Sequence, residues 1–146
     1  LIYSIKASSK FLYILKNLVS LVKSNIFFTL NGKFINFYAI VLAERIVLEF
    51  MDEVVRENFS RLNYQLSNSD FVNFMKHKQE QSEEVAGWTQ AGRDKVIVKL
   101  KNFSVEAGYL EKNNDGFLIK KPVIDSSIIN AIENQSGNKF LKILLY

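Results

Sequence analysis

The run FINFYAIVLAERIVLEFMDEVVRENFSR, residues 34–61, decides the fold. It contains neither Gly nor Pro, so nothing in it stops a helix of roughly seven to eight turns. At about 100° per residue, Val47, Leu48, Phe50, Met51, Val54, Val55 and Phe59 fall on one broad side. Arg45, Glu49, Asp52, Glu53 and Arg56 fall on the other. Arg45–Glu49 and Asp52–Arg56 are i,i+4 pairs, each contributing roughly a few tenths of a kcal/mol. Residues 34–42 are apolar nearly all round, which predicts burial on more than one face.

Upstream, residues 3–23 repeat Phe11, Ile14, Leu15, Leu18, Val19 and Val22 at helical spacing, with Ser8 and Ser9 as candidate caps. Residues 24–32 read as a connection that carries an apolar patch, Ile26-Phe27-Phe28, and closes on the turn pair Asn31-Gly32. Downstream, Ser67-Asn68-Ser69-Asp70 is a capping run ahead of a helix over about 69–79. Residues 76–84 are polar and charged, either a solvated helix end or a boundary between lobes 1–84 and 85–146 that pack as one unit. Thr89 is placed to cap a helix over about 90–107, and Gly108 to end it. Tyr109-Leu110-Glu111-Lys112 and Phe117-Leu118-Ile119-Lys120 then flank Asn113-Asn114-Asp115-Gly116, the strongest hairpin pattern in the chain. Pro122 ends the second strand, Asp125 or Ser126 caps a helix through about 133, and residues 138–146 form a last apolar element that packs back. The expected class is mainly α. A helical bundle surrounds one long central helix, followed by a winged-helix-like helix plus β-hairpin and short C-terminal helices.

With 48% apolar and 13% aromatic residues, Phe alone numbering 12, the chain has ample material for a packed core. A net charge of +4 permits a polyanionic partner without demanding one. The absence of Cys excludes disulfides, thiolate metal sites and Cys nucleophiles. Neither apolar stretch suits a bilayer. Residues 11–22 are too short, and residues 34–51 carry Glu44, Arg45 and Glu49. These features predict a soluble protein, and the lack of Cys does not decide its compartment, for which a reducing cytoplasm is the default. The chain starts on Leu rather than Met, so its start reads as trimmed or missing.

Catalytic patterns are absent. His77 is the single histidine, too few for a triad or a His-based metal site, and the glycines are scattered at turns rather than gathered in a phosphate loop. Glu49, Asp52 and Glu53 lie within about a turn of one another and could hold Mg²⁺. With Arg45 and Arg56 beside them, a self-neutralised surface is the simpler account. No catalytic residue, cofactor, metal or small-molecule substrate is therefore expected.

The helix followed at once by a hairpin has the form of the back half of a winged helix, whose helix enters a DNA groove while the wing touches phosphates. Val96, Ile97, Leu100, Phe103 and Ala107 share the side to be buried. Lys95, Lys99 and Asn102 line the opposite side, with Lys101 on one flank and Lys112, Lys120 and Lys121 on the hairpin. These residues could neutralise phosphates in a salt-sensitive, mostly sequence-independent way, although Asp94 and Glu106 weaken the patch. The competing account is that a Lys-rich chain solvates its surface with lysine. Arg93, near the apolar side, is read first as a cap-region or internal contact and second as a phosphate contact, and Trp88 first as a core plug and second as a base-stacking platform.

Glu49-Phe50-x-x-Glu53-Val54-Val55-Arg56-Glu57-x-Phe59 resembles a stretch of the BrxA family, small helical proteins of BREX bacteriophage-exclusion systems. The resemblance continues through Leu66-Ser67-x-x-Asp70-Phe71-x-x-Phe74-x-x-x-Lys78 and resumes at Trp88, Arg93-x-Lys95 and Glu106-Ala107-Gly108-Tyr109-Leu110. It departs at Gly92, where the family pattern has Thr, and at Ile97, where relatives are basic. The resemblance implies a non-enzymatic, cytoplasmic accessory of phage defence with winged-helix character that binds double-stranded DNA and meets other BREX components. It also implies that relatives carry a further N-terminal region. Two other roles compete. One is a protein-interaction scaffold anchored by Ile26-Phe27-Phe28 or Leu144-Leu145-Tyr146, and the other is an amphipathic membrane-surface protein using residues 11–22.

Overall fold

The computed structural model describes residues 28–136 and 139–146, with side chains over 32–133 and 140–146. The expectations for the helix over 3–23 and for the Ile26-Phe27-Phe28 side chains lie outside the described residues.

The central apolar run is helical but not one helix. Helix α1, Phe28–Ala43, stops at Glu44, whose backbone is extended at φ −118 and ψ 98. The break costs little hydrogen bonding. Glu44 N–H still donates to Ile40 O at 2.8 Å, and its own carbonyl accepts from Val47 N at 3.0 Å, starting α2, Arg45–Phe50. The helix then widens into a π-helical segment, Met51–Arg56, and closes as α3, Glu57–Ser60. No Gly or Pro marks either irregularity, so the expectation of an unbroken helix over residues 34–61 is corrected. The Asn31-Gly32 turn is also corrected, because both residues lie inside α1. The apolar run behind them carries the helix through, and nothing lies within 4 Å of where a Cβ on Gly32 would sit.

Burial follows the apolar pattern. Phe34, Ile35, Phe37, Tyr38 and Val41 are buried on α1, and Ile46, Val47, Phe50, Met51, Val54 and Val55 are buried beyond it. Strand β1, Gln65–Leu66, leads into α4, Asn68–Gln81, and a short α5, Glu83–Ala86, follows. The start of α4 is fixed by Asp70, whose Oδ2 accepts from Ser67 N at 2.7 Å and Ser67 Oγ at 2.8 Å. Phe50 stacks on Phe71 at 5.1 Å and meets the edge of Phe74 at 5.4 Å, while Phe71 reaches Phe117 at 5.4 Å. No helix among the described residues is long and apolar enough to cross a membrane.

Helix α6, Gln90–Glu106, leads into β2, Leu110–Asn113, and β3, Gly116–Ile119. The sheet has three strands in the order β1-β3-β2, all antiparallel, with Leu66 opposite Phe117 and Asn113 opposite Gly116. Residues on both sides of position 84 thus share one sheet and one core. The turn residues are Asn114-Asp115, and Gly116 begins β3 with φ +138. A Cβ there would stand 2.2 Å from Leu66 O, so glycine is what lets β1 approach. Helix α7, Ser126–Ser136, starts where Asp125 Oδ1 accepts from Ser127 N at 2.8 Å, and α8, Lys139–Leu145, returns to the body. There Tyr109 Oη donates to Leu144 O at 3.0 Å, and the Tyr146 ring lies 4.6 Å from Phe59.

Candidate functional site

Two local devices set the position of α6. At its start Thr89 Oγ1 accepts from Gly92 N at 3.1 Å. At its end Gly108 takes φ +83, Gly108 N donates to Val105 O at 3.0 Å, and Tyr109 N donates to Ser104 O at 2.9 Å. That pattern is a Schellman stop, and it turns the chain straight into β2. The inner side of α6 buries Leu100 and Ser104, and Ala107 is buried at its end, with Val96, Ile97 and Phe103 packed against the core.

The expected phosphate contacts divide into two groups. The side chains of Lys95, Lys99 and Lys112 are exposed and make no ion pair or hydrogen bond among the described residues. Asn102 is exposed as well. The remaining cations are engaged within the protein. Lys101 Nζ donates to Asn68 Oδ1 at 2.8 Å and sits over the rings of Phe71 at 5.0 Å and Phe117 at 5.8 Å. Lys120 pairs with Glu111 at 3.0 Å. Lys121 Nζ donates to Tyr146 O at 2.9 Å. Arg93 donates to Trp88 O and, at 2.9 Å, to Gln90 Oε1, which is the cap-region contact expected for it. Trp88 is half-buried against the core.

A groove of about 600 Å³ separates α6 from the hairpin. Lys101, Asn102 and Glu106 line one wall, Lys112 and Asp115 the other, and Asn68 the end, so the two lysines face two carboxylates. The hairpin beside the groove is completed by an element that the sequence did not announce. Strand β1 has too few residues to show any alternation, and its Gln65 amide exchanges hydrogen bonds with Asn113 at 2.9 and 3.2 Å, linking the outer strands.

A second cluster of charge lies towards the C-terminal end of α4. Lys78 is buried, with Nζ 2.5 Å from Glu53 Oε1, 3.1 Å from Glu49 Oε2 and 2.9 Å from Gln81 Oε1. Burial alone lowers the affinity of this amine for its proton, but the hydrogen bonds to Glu53 and Glu49, together with the negative charges of both, outweigh it and hold Lys78 above the ordinary lysine range. Arg45 reaches the same Glu49 at 2.5 Å. Glu49 and Glu53 are therefore not simply a solvated polar side, and Lys78 is not part of a solvated helix end. His77 is exposed, and the described residues contain no group of acidic, His or Cys side chains that could hold a metal ion.

A profile of the BrxA family matches residues 17–136. The chain belongs to the BrxA family. The BREX protein BrxA of Bacillus cereus (strain H3081.97) is 32% identical to it over 119 residues. That match takes in 79% of this chain and 58% of the relative, so the chain spans less than two-thirds of the relative's length. The BrxA-like stretches now have physical meanings. Glu49, Glu53 and Lys78 meet in one ion cluster, Phe50, Phe71 and Phe74 in one aromatic cluster, and Ser67 with Asp70 in one cap. Gly108 of the Glu106–Leu110 stretch is the helix stop.

Proposed function

We propose that this chain is a non-enzymatic accessory of a BREX phage-defence system that binds double-stranded DNA through α6 and the β2–β3 hairpin. The observation that supports the reading is the order α3, β1, α4, the short α5, α6, β2, β3 with β1 paired to β3, which is similar to that of a winged helix. In that reading α6 is the recognition helix and the hairpin is the wing. Lys95 and Lys99 on the helix and Lys112 on the wing supply the phosphate contacts. Family membership supports the defence role, and the relative's printed name supports other BREX components as partners. The same reading places the protein in the cytoplasm, together with its DNA.

A gel-shift titration with duplex DNA tests the proposal. Three phosphate contacts weaken binding about forty-fold between ~50 and ~200 mM salt. Lys95→Glu, Lys99→Glu and Lys112→Glu together abolish the shift while the circular dichroism spectrum stays that of the parent. A triple variant that binds like the parent would falsify this surface.

A further inference from the structure

The outermost ridge of α6 is not the basic one. Ala91, Val98 and Val105 recur at heptad spacing along its centre and are exposed, Val98 at 54% and Val105 at 38%. Lys95 and Asn102, also a heptad apart, stand beside them. Asp94 lies on the other flank, where its carboxylate accepts from the Gln90 amide at 2.8 Å. A helix that met only phosphate would gain nothing from exposed valines. Apolar side chains do gain from the thymine methyl group, and an Asn amide matches the N6 and N7 edge of adenine.

Resting on the DNA-binding reading above, we propose that Val98 and Asn102 are specificity-determining residues that select A·T pairs in the major groove. Val98 packs on the thymine C5-methyl and Asn102 pairs with adenine, while Lys95 and Lys112 hold the neighbouring phosphates. Lys101 takes no part in reading, because Asn68 and the rings of Phe71 and Phe117 hold it on the inner flank. The second exposed valine, Val105, lies in the last turn of the helix, at the hairpin groove that Asn102 also lines, and is assigned no base contact.

Selection from a random duplex library at fixed salt, followed by titration of the winners, tests the assignment. The parent enriches A·T steps and prefers them about ten-fold over G·C duplexes of equal length. Asn102→Ala removes that preference and leaves the salt slope unchanged. Replacing thymine by uracil, which deletes only the major-groove methyl, weakens the parent but not Val98→Ala. An inosine·cytosine duplex presents an A·T-like minor groove and a G·C-like major groove, so the parent treats it as G·C. If the parent treats it as A·T, the wing is reading the minor groove and the proposal is overturned. Salt-dependent binding without any base preference overturns it and leaves the DNA-binding reading intact. Failure to bind any duplex overturns both.

Discussion

The lysine at the far end of α4 and the lysines of α6 and its hairpin meet opposite fates. Lys78 is buried between Glu53 and Glu49, and its ammonium is fully engaged. Lys95, Lys99 and Lys112 stand in solvent with no partner among the described residues. The residue type is the same, and Lys78 and Lys95 both fall within stretches that resemble the family. What separates them is the carboxylates that the fold brings within reach. A buried charge must be paired, and its pairing serves the fold. An exposed unpaired charge adds little to stability and remains free to meet another molecule. Family likeness therefore marks both scaffold and surface, and only geometry sorts one from the other.

The largest test of that contrast is Lys78→Met. Removing the cation leaves Glu49 and Glu53 without their shared partner, and urea denaturation should show a loss of about 3 kcal/mol. Binding per folded molecule should not change. The pH dependence has a definite sign. The folded-state affinity of Lys78 for its proton is raised, so its contribution is complete below the ordinary lysine value of 10.5 and fades as pH rises through the higher folded value. Burial raises Tyr109 and Tyr146 as well, so they add to the same alkaline loss. The difference between parent and Lys78→Met isolates the lysine, and it should shrink above about pH 10.5. A difference that stays constant there would mean that the cluster does not hold the charge.

Gly116→Ala comes next, with an expected loss of about 2 kcal/mol from the positive φ and the contact with Leu66 O. It strikes the join between β1 and the hairpin. Amide exchange at Ile119, whose N–H donates to Tyr64 O at 2.7 Å, should therefore accelerate more than exchange within α4. Lys101→Ala is milder, about 1 kcal/mol from lost ring and Asn68 contacts, and should leave the salt slope of DNA binding unchanged. A lower slope would move Lys101 from the scaffold group to the surface group.

The parts of this molecule legible in its sequence are those controlled by neighbours in the chain. Thr89, Gly108 and Asp125 act at the helix ends where local capping chemistry places them, and the hairpin forms where its turn residues stand. The parts that were hidden depend on residues far apart. Glu44 breaks the central helix without Gly or Pro, β1 is too short to show a period, and Lys78 looks like any solvated lysine until Glu49 and Glu53 are folded against it. At the candidate site, the lysines of α6 were legible as a row by helical spacing. The loss of Lys101, Lys120 and Lys121 to internal partners was not, because Asn68, Glu111 and Tyr146 are brought to them by tertiary packing.

The smallest effect probes the boundary between the two groups. Lys120 and Glu111 pair at 3.0 Å, but both side chains are largely open to water, 48% and 64% exposed, so the pair adds only about 0.3 kcal/mol to stability. Glu111→Gln should leave the urea midpoint almost unchanged while freeing a cation at the base of the wing. If Lys120 then reaches a phosphate, the loss of affinity between ~50 and ~200 mM salt grows about three-fold relative to the parent. Lys120→Ala alone should leave that slope as it is, because in the parent the ammonium is already occupied. If Lys120→Ala lowers the slope and Glu111→Gln does not raise it, Lys120 exchanges its carboxylate for phosphate on binding. Pairing in the unbound protein would then be a poor guide to which lysines face the duplex.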